Sequence, residues 1–397
     1  MTGGDAVNVS GEFAYTSPNQ ITYGPGSRQA LPAALEAAGV ERVLLLVSNS
    51  LYEKTPHGKE LEDLIGSRRA LTFSQPRQHV PREVVVEVAR QARAASVDAI
   101  VSLGGGSVSD LGKAVGLAIA ENITDSAAID DYKVTFTSEG EVRPTTVAGS
   151  TVPHWTLPTT LSAAEFTSGF GITDAERGVK DGFSHSTLIP QRVILDSELT
   201  RSTPMDLWLS TGIRALDHCV EACYSLAAQP FVTAVCKDGL ATLAKYLGRT
   251  RSHPEDLDAR TYCQIASWQG GFAITNAGVG VSHAVGHQIG ARYGIPHGIT
   301  SCVTLPAAMA YNNAVVGDVL DEIASIFGAP AGVSGADAVR SFIADLGLPT
   351  RLDQVGLGPE NYDQIVADVS EDRSILWNPR PIDGEAVVEI LEIARTQ

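Results

Sequence analysis

The sequence is short of positive charge. Its 397 residues include 29 Lys and Arg against 46 Asp and Glu, which gives a formal net charge of −17. Nucleic acids and anionic membranes favour proteins with a surplus of Lys and Arg. The composition therefore argues against both as partners, and any site for a small anion must be built from local groups.

The sequence also has few cysteines and no long apolar run. Its five cysteines form no Cys-x-x-Cys pair, so we expect buried, reduced thiols. No stretch reaches the roughly 18 apolar residues that a membrane helix needs, and residues 1–5 lack the basic and apolar regions of a signal peptide. Together these absences predict a cytoplasmic protein.

The first half alternates short apolar runs with helical patterns, which is typical of a parallel α/β sheet. The predicted strands are residues 42–47, 98–103, 155–157 and 192–196, with a helix at 81–95 and an irregular excursion, interpreted as a β-hairpin, at 122–149. After residue 200, Ala-, Leu- and Gly-rich stretches at 205–228, 232–247 and 259–291 predict helices. We therefore predict an α/β domain over residues 1–199 and an all-α domain over residues 200–397.

A glycine loop separates a predicted strand from a predicted helix. It comprises Gly104, Gly105, Gly106 and Ser107, and Asp110 follows in the first helical turn. Glycines let the backbone approach a phosphate closely, and the free N–H groups at a helix start bind the anion. The loop matches neither the Gly-x-Gly-x-x-Gly pattern nor a P-loop. It predicts a phosphate site, and the alternative is a tight strand-to-helix turn.

A second polar segment follows the strand at residues 155–157. Thr159, Thr160 and Ser162 place hydroxyl groups after the end of this strand. Because the carboxyl ends of parallel strands share one edge of a sheet, these hydroxyls are candidates to line the same cofactor cleft. Taken alone, the segment is a polar turn.

Four of the nine histidines form a pattern typical of a metal site. His283 and His287 are four residues apart and so share one helix face, while His297 and His218 belong to the same helical half. Isolated histidines are more often structural, which is how we interpret the remaining candidates. Those are His79, His154 and His185.

Four segments together resemble the iron-containing alcohol dehydrogenase superfamily (group III). They are GGGSVSDLGKAVG, PTTLSAAEFT, GIRALDHCVEACYS and GVSHAVGHQIGARYGIPHG, in the order of the family. Residues 13–26, 79–81 and 377–381 are similar to the maleylacetate reductase branch. The resemblance implies a dehydroquinate synthase-like fold with an N-terminal dinucleotide-binding domain, hydride transfer with NAD(H) or NADP(H), and a homodimer.

Arg214 departs from the pattern of the metal-dependent members. The resemblance implies metal ligands at position 214, normally Asp, and at His218, His283 and His297, with His287 near the nicotinamide. A divalent cation with one Asp has a net charge of about +1, as does one Arg, so Arg214 is a candidate to replace the metal and polarise a carbonyl or clamp a carboxylate. Alternatively, Arg214 turns towards a surface carboxylate and a divalent metal (Fe or Zn) still binds.

The catalytic candidates are accordingly Arg214, His218, His283 and His287. Asp217 is expected to point away from the site, and Glu221 is interpreted as an ordinary helix-face carboxylate. Asn49 stands where many NAD-preferring relatives carry Asp, which predicts that NADH and NADPH are both tolerated.

The leading hypothesis is an NAD(P)H-dependent reductase of a small anionic oxo-acid, acting on a carbonyl or an activated double bond, with Arg292 as a further candidate in the cleft. Two alternatives are a metal-dependent alcohol dehydrogenase with a reassigned ligand and a redox-neutral lyase or cyclase on the same fold.

Overall fold

The computed structural model describes residues 20–76, 80–136, 142–177 and 179–397. Residues 1–5, which lack the features of a signal peptide, and His79 lie outside these residues. Within them, no helix is both long and apolar enough to cross a membrane.

Six parallel strands form the main sheet of the first half. The strands of the described residues are β1 (Gln20–Tyr23), β2 (Val43–Val47), β3 (Arg69–Phe73), β4 (Ala99–Gly104), β5 (Thr135–Phe136), β6 (Val142–Arg143), β7 (His154–Pro158), β8 (Gly169–Asp174), β9 (Val179–Ser184) and β10 (Arg192–Leu195). The main sheet has the order β1-β10-β7-β4-β2-β3. Its central strands β2, β4 and β7 are fully buried, as expected for a parallel sheet covered on both faces.

Helices cover the sheet and form almost all of the second half. They are α1 (Leu31–Ala37), α2 (Asn49–Lys54), α3 (His57–Ile65), α4 (Arg82–Ala94), α5 (Gly106–Ala120), α6 (Ser197–Thr200), α7 (Met205–Tyr224), α8 (Pro230–Ser252), α9 (Leu257–Ala277), α10 (Val281–Tyr293), α11 (His297–Ile326), α12 (Gly335–Asp345), α13 (Tyr362–Val369) and α14 (Gly384–Thr396). The predicted fold class is confirmed. The division between residues 199 and 200, which α6 spans, stays a prediction.

Several elements differ from the sequence-based expectations. Strands β1 and β3 and the antiparallel hairpin of β8 and β9 were not predicted, while the excursion at 122–149 does contain a short hairpin of β5 and β6. The stretch 259–291, predicted as helical throughout, is broken between α9 and α10. Gly278 ends α9 with a φ of +69°, a conformation that favours glycine.

Candidate active site

The glycine loop joins β4 to α5 and packs against the segment that follows β7. Gly104 has a φ of +153°, and a Cβ atom at Gly106 would lie 2.8 Å from Ser162 Oγ. A Cβ atom at Gly105 would lie 3.1 Å from Thr160 Cγ2. Side chains are therefore excluded from the loop, whose backbone stays open for a close approach.

The predicted cofactor residues lie at one edge of the sheet. Asn49 begins α2 after β2, and Thr159 N–H donates to Gly104 C=O at 2.9 Å, which ties the end of β7 to the glycine loop. Asp110 lies in α5 and accepts from the buried Lys113 ammonium at 3.3 Å. Strands β2 and β4 are neighbours in the sheet. From β2 the chain continues to β3, towards one edge, and from β4 it continues to β7, towards the other edge. In open α/β sheets, ligands bind at the carboxyl ends of two neighbouring strands that diverge in this way.

The residues at this edge fit the pyrophosphate of a dinucleotide. Gly105 caps α5 without a side-chain hydrogen bond, so the first N–H groups of the helix are directed at the loop. We call the loop of Gly104, Gly105, Gly106 and Ser107 the phosphate cradle.

A second group of residues lies on α7, α10 and the start of α11. On α7, Asp217 and His218 lie three and four residues after Arg214, and Glu221 lies four and three residues after them, so one side of the helix presents all four. The ring centroids of His218 and His283 are 5.0 Å apart, and the His287 ring lies 6.0 Å from the rings of both His283 and His297. We call these four histidines the histidine cluster.

Glu221 holds the start of α10 in place. Its carboxylate accepts from the backbone N–H of Gly280 at 2.7 Å and of Ser282 at 2.8 Å, and from His283 Nδ1 at 2.7 Å. A Cβ atom at Gly280 would lie 2.9 Å from Glu221 Oε1. The break between α9 and α10 therefore lets the backbone meet a buried carboxylate, and Glu221 is not an ordinary helix-face residue.

Burial determines the protonation of the inner histidines. Desolvation holds the pKa values of His218 and His283 well below the ordinary range, and the Arg214 charge adds to this shift. A neutral His283 that donates from Nδ1 has its lone pair on Nε2, and this atom is buried without a hydrogen-bond partner in the described residues. Burial and the nearby Arg214 charge therefore favour the neutral form of both histidines.

Asp217 points into the site as well, contrary to the expectation that it turns away. Its Oδ1 lies 3.5 Å from His283 Nδ1, and its Oδ2 accepts from Ser282 Oγ at 3.0 Å. Burial raises the pKa of Asp217 to about 6, against the opposing effect of Arg214, and raises the pKa of Glu221 well above its ordinary value.

The Arg214 side chain points into the histidine cluster and not towards a surface carboxylate. Its guanidinium donates to Ser301 Oγ at 3.1 Å and to His287 Nε2 at 3.3 Å, and lies 3.9 Å from Asp217. Burial lowers the pKa of Arg214, opposed by Asp217, Glu221 and Asp372, yet a guanidinium remains charged in proteins. The chain thus places a fixed positive charge at the position of the expected Asp ligand.

The described residues do not fit a metal on His218, His283 and His297. Among the described residues, one group of three or more His, Cys, Asp or Glu side chains has ligand atoms that all lie within 4.8 Å of one another. That group is Asp217, Glu221 and His283. Three backbone N–H groups, of Gly280, Ser282 and His283, already occupy the Glu221 carboxylate, and Nδ1–H of His283 adds a fourth donor. The Arg214 charge beside the histidines disfavours a divalent cation further.

One hydrogen bond joins the polar segment after β7 to α7, the helix that carries Arg214. Leu161 N–H, between Thr160 and Ser162, donates to Thr211 Oγ1 at 3.1 Å. Thr211 precedes Arg214 by one turn of α7, a rise of about 5 Å along the helix axis.

Asp372 was not identified from the sequence. Its Oδ2 accepts from His287 Nδ1 at 2.9 Å and from Gln288 Nε2 at 3.0 Å. The spacing on α7 could have pointed to Asp217 and Glu221, but no sequence pattern connects Asp372, which follows α13, to α10.

The other candidates have structural roles. Arg292 pairs with Asp368 at the surface, 2.6 Å from its Oδ2, and not with the cluster. His154 lies in the sheet, 2.9 Å from Ser102 Oγ, where burial lowers its pKa to about 3. His185 caps a short 3₁₀ turn. All five cysteines are free and buried.

The sequence is similar to known proteins over nearly its full length. Residues 18–197 match the iron-containing alcohol dehydrogenase family, and residues 208–395 match the C-terminal part of the Fe-containing alcohol dehydrogenase family. A maleylacetate reductase from Rhizobium sp. (strain MTP-10005) is 30% identical over 96% of this chain and 97% of its own length. Maleylacetate reductase 1 from Rhodococcus opacus is 31% identical over 97% of each chain.

The crystal structure of the maleylacetate reductase from Rhizobium sp. strain MTP-10005 has a TM-score of 0.81 at 28% identity, covering 97% of this chain and 99% of the other. Sequence and fold thus agree. The chain belongs to the iron-containing alcohol dehydrogenase family, in its maleylacetate reductase-like branch, and is an NAD(P)-dependent oxidoreductase.

Proposed function

We propose that the protein is an NAD(P)H-dependent reductase that acts on a small anionic oxo-acid, at a carbonyl or at an activated double bond. The similarity to maleylacetate reductases supports an oxo-acid substrate. The observation on which the proposal depends is the Arg214 guanidinium, which lies within the histidine cluster, bonded to His287 and Ser301. It supplies the local positive site that an acidic protein needs for an anion.

Each part of the site has a distinct task in this proposal. The phosphate cradle, with Asn49, Asp110, Thr159, Thr160 and Ser162 around it, holds the dinucleotide. When bound, the reduced nicotinamide supplies a hydride to the substrate. Arg214 stabilises the negative charge that develops on the substrate oxygen, as preorganised donors do in other enzymes. His287 supplies the proton from Nε2, while His218 and His283 remain neutral and line the site.

Arg214 takes the place of a metal in this proposal. The family name implies iron. Here a guanidinium among His218, His283 and His287 supplies a comparable positive charge, and it needs no residues to coordinate it as a metal ion would. A second candidate is a metal-dependent alcohol dehydrogenase, which the proximity of Asp217, Glu221 and His283 favours. In that case a metal would have to displace the donors now bonded to Glu221.

The assay combines turnover with metal analysis. Purified protein is mixed with NADH or NADPH and a small dicarboxylic oxo-acid, and the absorbance of the reduced nicotinamide is followed. Steady consumption, no stoichiometric Fe or Zn in the protein and no effect of a chelator are expected. Product formation without loss of NAD(P)H would indicate a lyase or cyclase, and activity lost to a chelator and restored by metal would indicate the dehydrogenase.

Replacing the guanidinium tests its role directly. Arg214→Ala should lower kcat/KM by about 100- to 1000-fold, the usual cost of removing one donor to a developing oxyanion. The dissociation constant of NADH should change little. Arg292→Ala is the matched control, because Arg292 is bonded at the surface to Asp368. Equal activity of Arg214→Ala and wild type would contradict the proposal.

We further propose a cytoplasmic homodimer with domains at residues 1–199 and 200–397. Five free cysteines are consistent with a reducing compartment. Strand β1 lies at the edge of the main sheet, with Tyr23 exposed, and this edge is a candidate for contact with a second copy.

A further inference from the structure

Asp372 lies beside His287 in a fixed position. Its Oδ1 accepts from Ser374 N–H at 2.9 Å, which caps a short 3₁₀ helix, Arg373–Trp377. Its Oδ2 accepts from His287 Nδ1 at 2.9 Å and from Gln288 Nε2 at 3.0 Å. Three donors therefore hold this carboxylate, whose side chain is only 11% exposed.

The two nitrogen atoms of His287 have different partners. Nδ1 meets the Asp372 carboxylate, and Nε2 meets an Arg214 NH2 group at 3.3 Å. A guanidinium has donors only and a carboxylate has acceptors only, so the neutral ring must carry its proton on Nδ1 and its lone pair on Nε2. Asp372, His287 and Arg214 thus form a continuous chain of hydrogen bonds, and the contacts at its two ends determine which nitrogen atom of His287 carries the proton.

We infer that Asp372 is a positioning residue that fixes the tautomer and the ring orientation of His287, so that Nε2 is the atom presented to the substrate. The inference rests on the proposed function, in which His287 delivers the proton. Remote carboxylates that orient a histidine in this manner are a recurrent device for proton transfer.

The proton balance shows why the orientation matters. As the substrate carbon gains the hydride, the electron pair of its C=O π bond becomes a lone pair on oxygen. The substrate oxygen replaces Nε2 as the acceptor of the Arg214 NH2 group, so that Nε2–H of a protonated His287 faces an acceptor and not a donor. The lone pair takes the proton from Nε2, and the N–H electron pair remains on the nitrogen. The ring is left neutral with its proton on Nδ1, bonded to Asp372, and Nε2 is protonated again from water. One hydride and one proton are consumed, and the nicotinamide is oxidised.

Asparagine cannot replace this carboxylate. If its oxygen accepts from Ser374 N–H, its NH2 group faces His287 Nδ1 and Gln288 Nε2, and the proton of the neutral ring is forced onto Nε2. That N–H would then oppose the donors of Arg214. If the amide is flipped, its NH2 group opposes Ser374 N–H instead, so the side chain loses the contact that holds it in place and no longer fixes the ring. Asp372→Asn should therefore change the tautomer or free the ring, whereas Asp372→Glu keeps a charged acceptor.

The tautomer can be read directly by NMR of ¹⁵N-histidine-labelled full-length protein. The His287 resonances are assigned by their loss in His287→Gln. Wild type should show a protonated Nδ1 and an unprotonated Nε2. Asp372→Asn should show a protonated Nε2 or exchange between both forms. An unchanged Nδ1–H tautomer in Asp372→Asn would overturn the inference.

Kinetics give a second, independent readout. Asp372→Asn should lower kcat by about 100- to 10,000-fold, with KM and the NADH dissociation constant changed by less than about threefold, and Asp372→Glu should recover at least part of kcat. Asp368→Asn is the matched control, because Asp368 also joins the α13 region to α10, through Arg292, but does not contact His287. An equal loss of kcat in Asp368→Asn would indicate a merely structural role and overturn the inference.

The two proposals can fail separately. If wild-type protein reduced no oxo-acid, the proposed function would fail. The NMR spectra need neither substrate nor turnover and would still decide whether Asp372 sets the tautomer of His287.

Discussion

The phosphate cradle presents backbone N–H groups, whereas the histidine cluster consists of side chains packed against one another, of which His218 and His283 are buried. In the cradle, Gly104 and Gly106 have no room for a side chain. A Cβ atom at Gly104 would lie 2.7 Å from Val108 Cγ2, and one at Gly106 would lie 2.8 Å from Ser162 Oγ. In the cluster, Glu221 and Arg214 connect helices that are distant in the sequence. Adding a side chain should therefore damage the first region, and removing one should damage the second.

The largest effect is expected from removing Glu221. Glu221→Ala leaves the N–H groups of Gly280 and Ser282 and the Nδ1–H of His283 without their acceptor. The loss of a buried network of this kind costs about 3–5 kcal/mol of unfolding free energy. Denaturant unfolding of the protein without cofactor measures it.

Asp238→Ala is the control for Glu221→Ala. Asp238 is an exposed carboxylate on α8 that accepts from Gln269, and its loss should change the unfolding free energy by no more than about 0.5 kcal/mol. If both variants were equally stable, Glu221 would not hold the break between α9 and α10, and the contrast with the cradle would disappear.

This contrast also explains which features the sequence could predict. The cradle is local: strand, glycines and helix follow each other within one short segment, so the pattern predicted the order of these elements, although Gly104 belongs to β4 and Gly106 and Ser107 belong to α5. The pair His283 and His287 was visible through its helical spacing. By contrast, Glu221 and Gly280 are 59 residues apart, and His287 and Asp372 are 85 residues apart. Such contacts depend on tertiary packing and have no signature in a single sequence.

The elements that were missed have a similar physical cause. Strand β3 is only partly buried and β1 is a short edge strand, so neither has the continuous apolar run that marks β2 and β4. The break between α9 and α10 was hidden because its glycines lie in a stretch rich in Ala and Gly. At this break, the backbone N–H groups of Gly280 and Ser282 have no partner within their own helix. The carboxylate of Glu221, on α7, accepts from both.

An intermediate effect is expected from adding a methyl group to the cradle. Gly104 has a φ of +153°, which L side chains rarely adopt, and the new Cβ would overlap Val108. Strain of about 1–3 kcal/mol should displace the loop in Gly104→Ala and raise the NADH dissociation constant about tenfold or more. Fluorescence titration with NADH measures the constant.

Gly182→Ala is the control for Gly104→Ala. Gly182 lies in β9, and a Cβ atom there would meet nothing within 4 Å. Its substitution should leave NADH binding unchanged. Normal NADH binding by Gly104→Ala would mean that the phosphates do not rest on this loop.

The smallest effect is expected at Asn49, at the start of α2 beside the cradle. A carboxylate here would repel the 2′-phosphate of NADPH, whereas Asn is neutral and the wild type should accept both cofactors. Asn49→Asp should raise KM for NADPH about five- to tenfold, which corresponds to about 1 kcal/mol, and should leave KM for NADH nearly unchanged. Asn49→Gln keeps the amide and should preserve the use of both cofactors. Since the contact concerns binding and not the histidine cluster, kcat with NADH should stay at the wild-type value. A matching rise in KM for both cofactors would place Asn49 away from the 2′-position and restrict the cradle's role to the pyrophosphate.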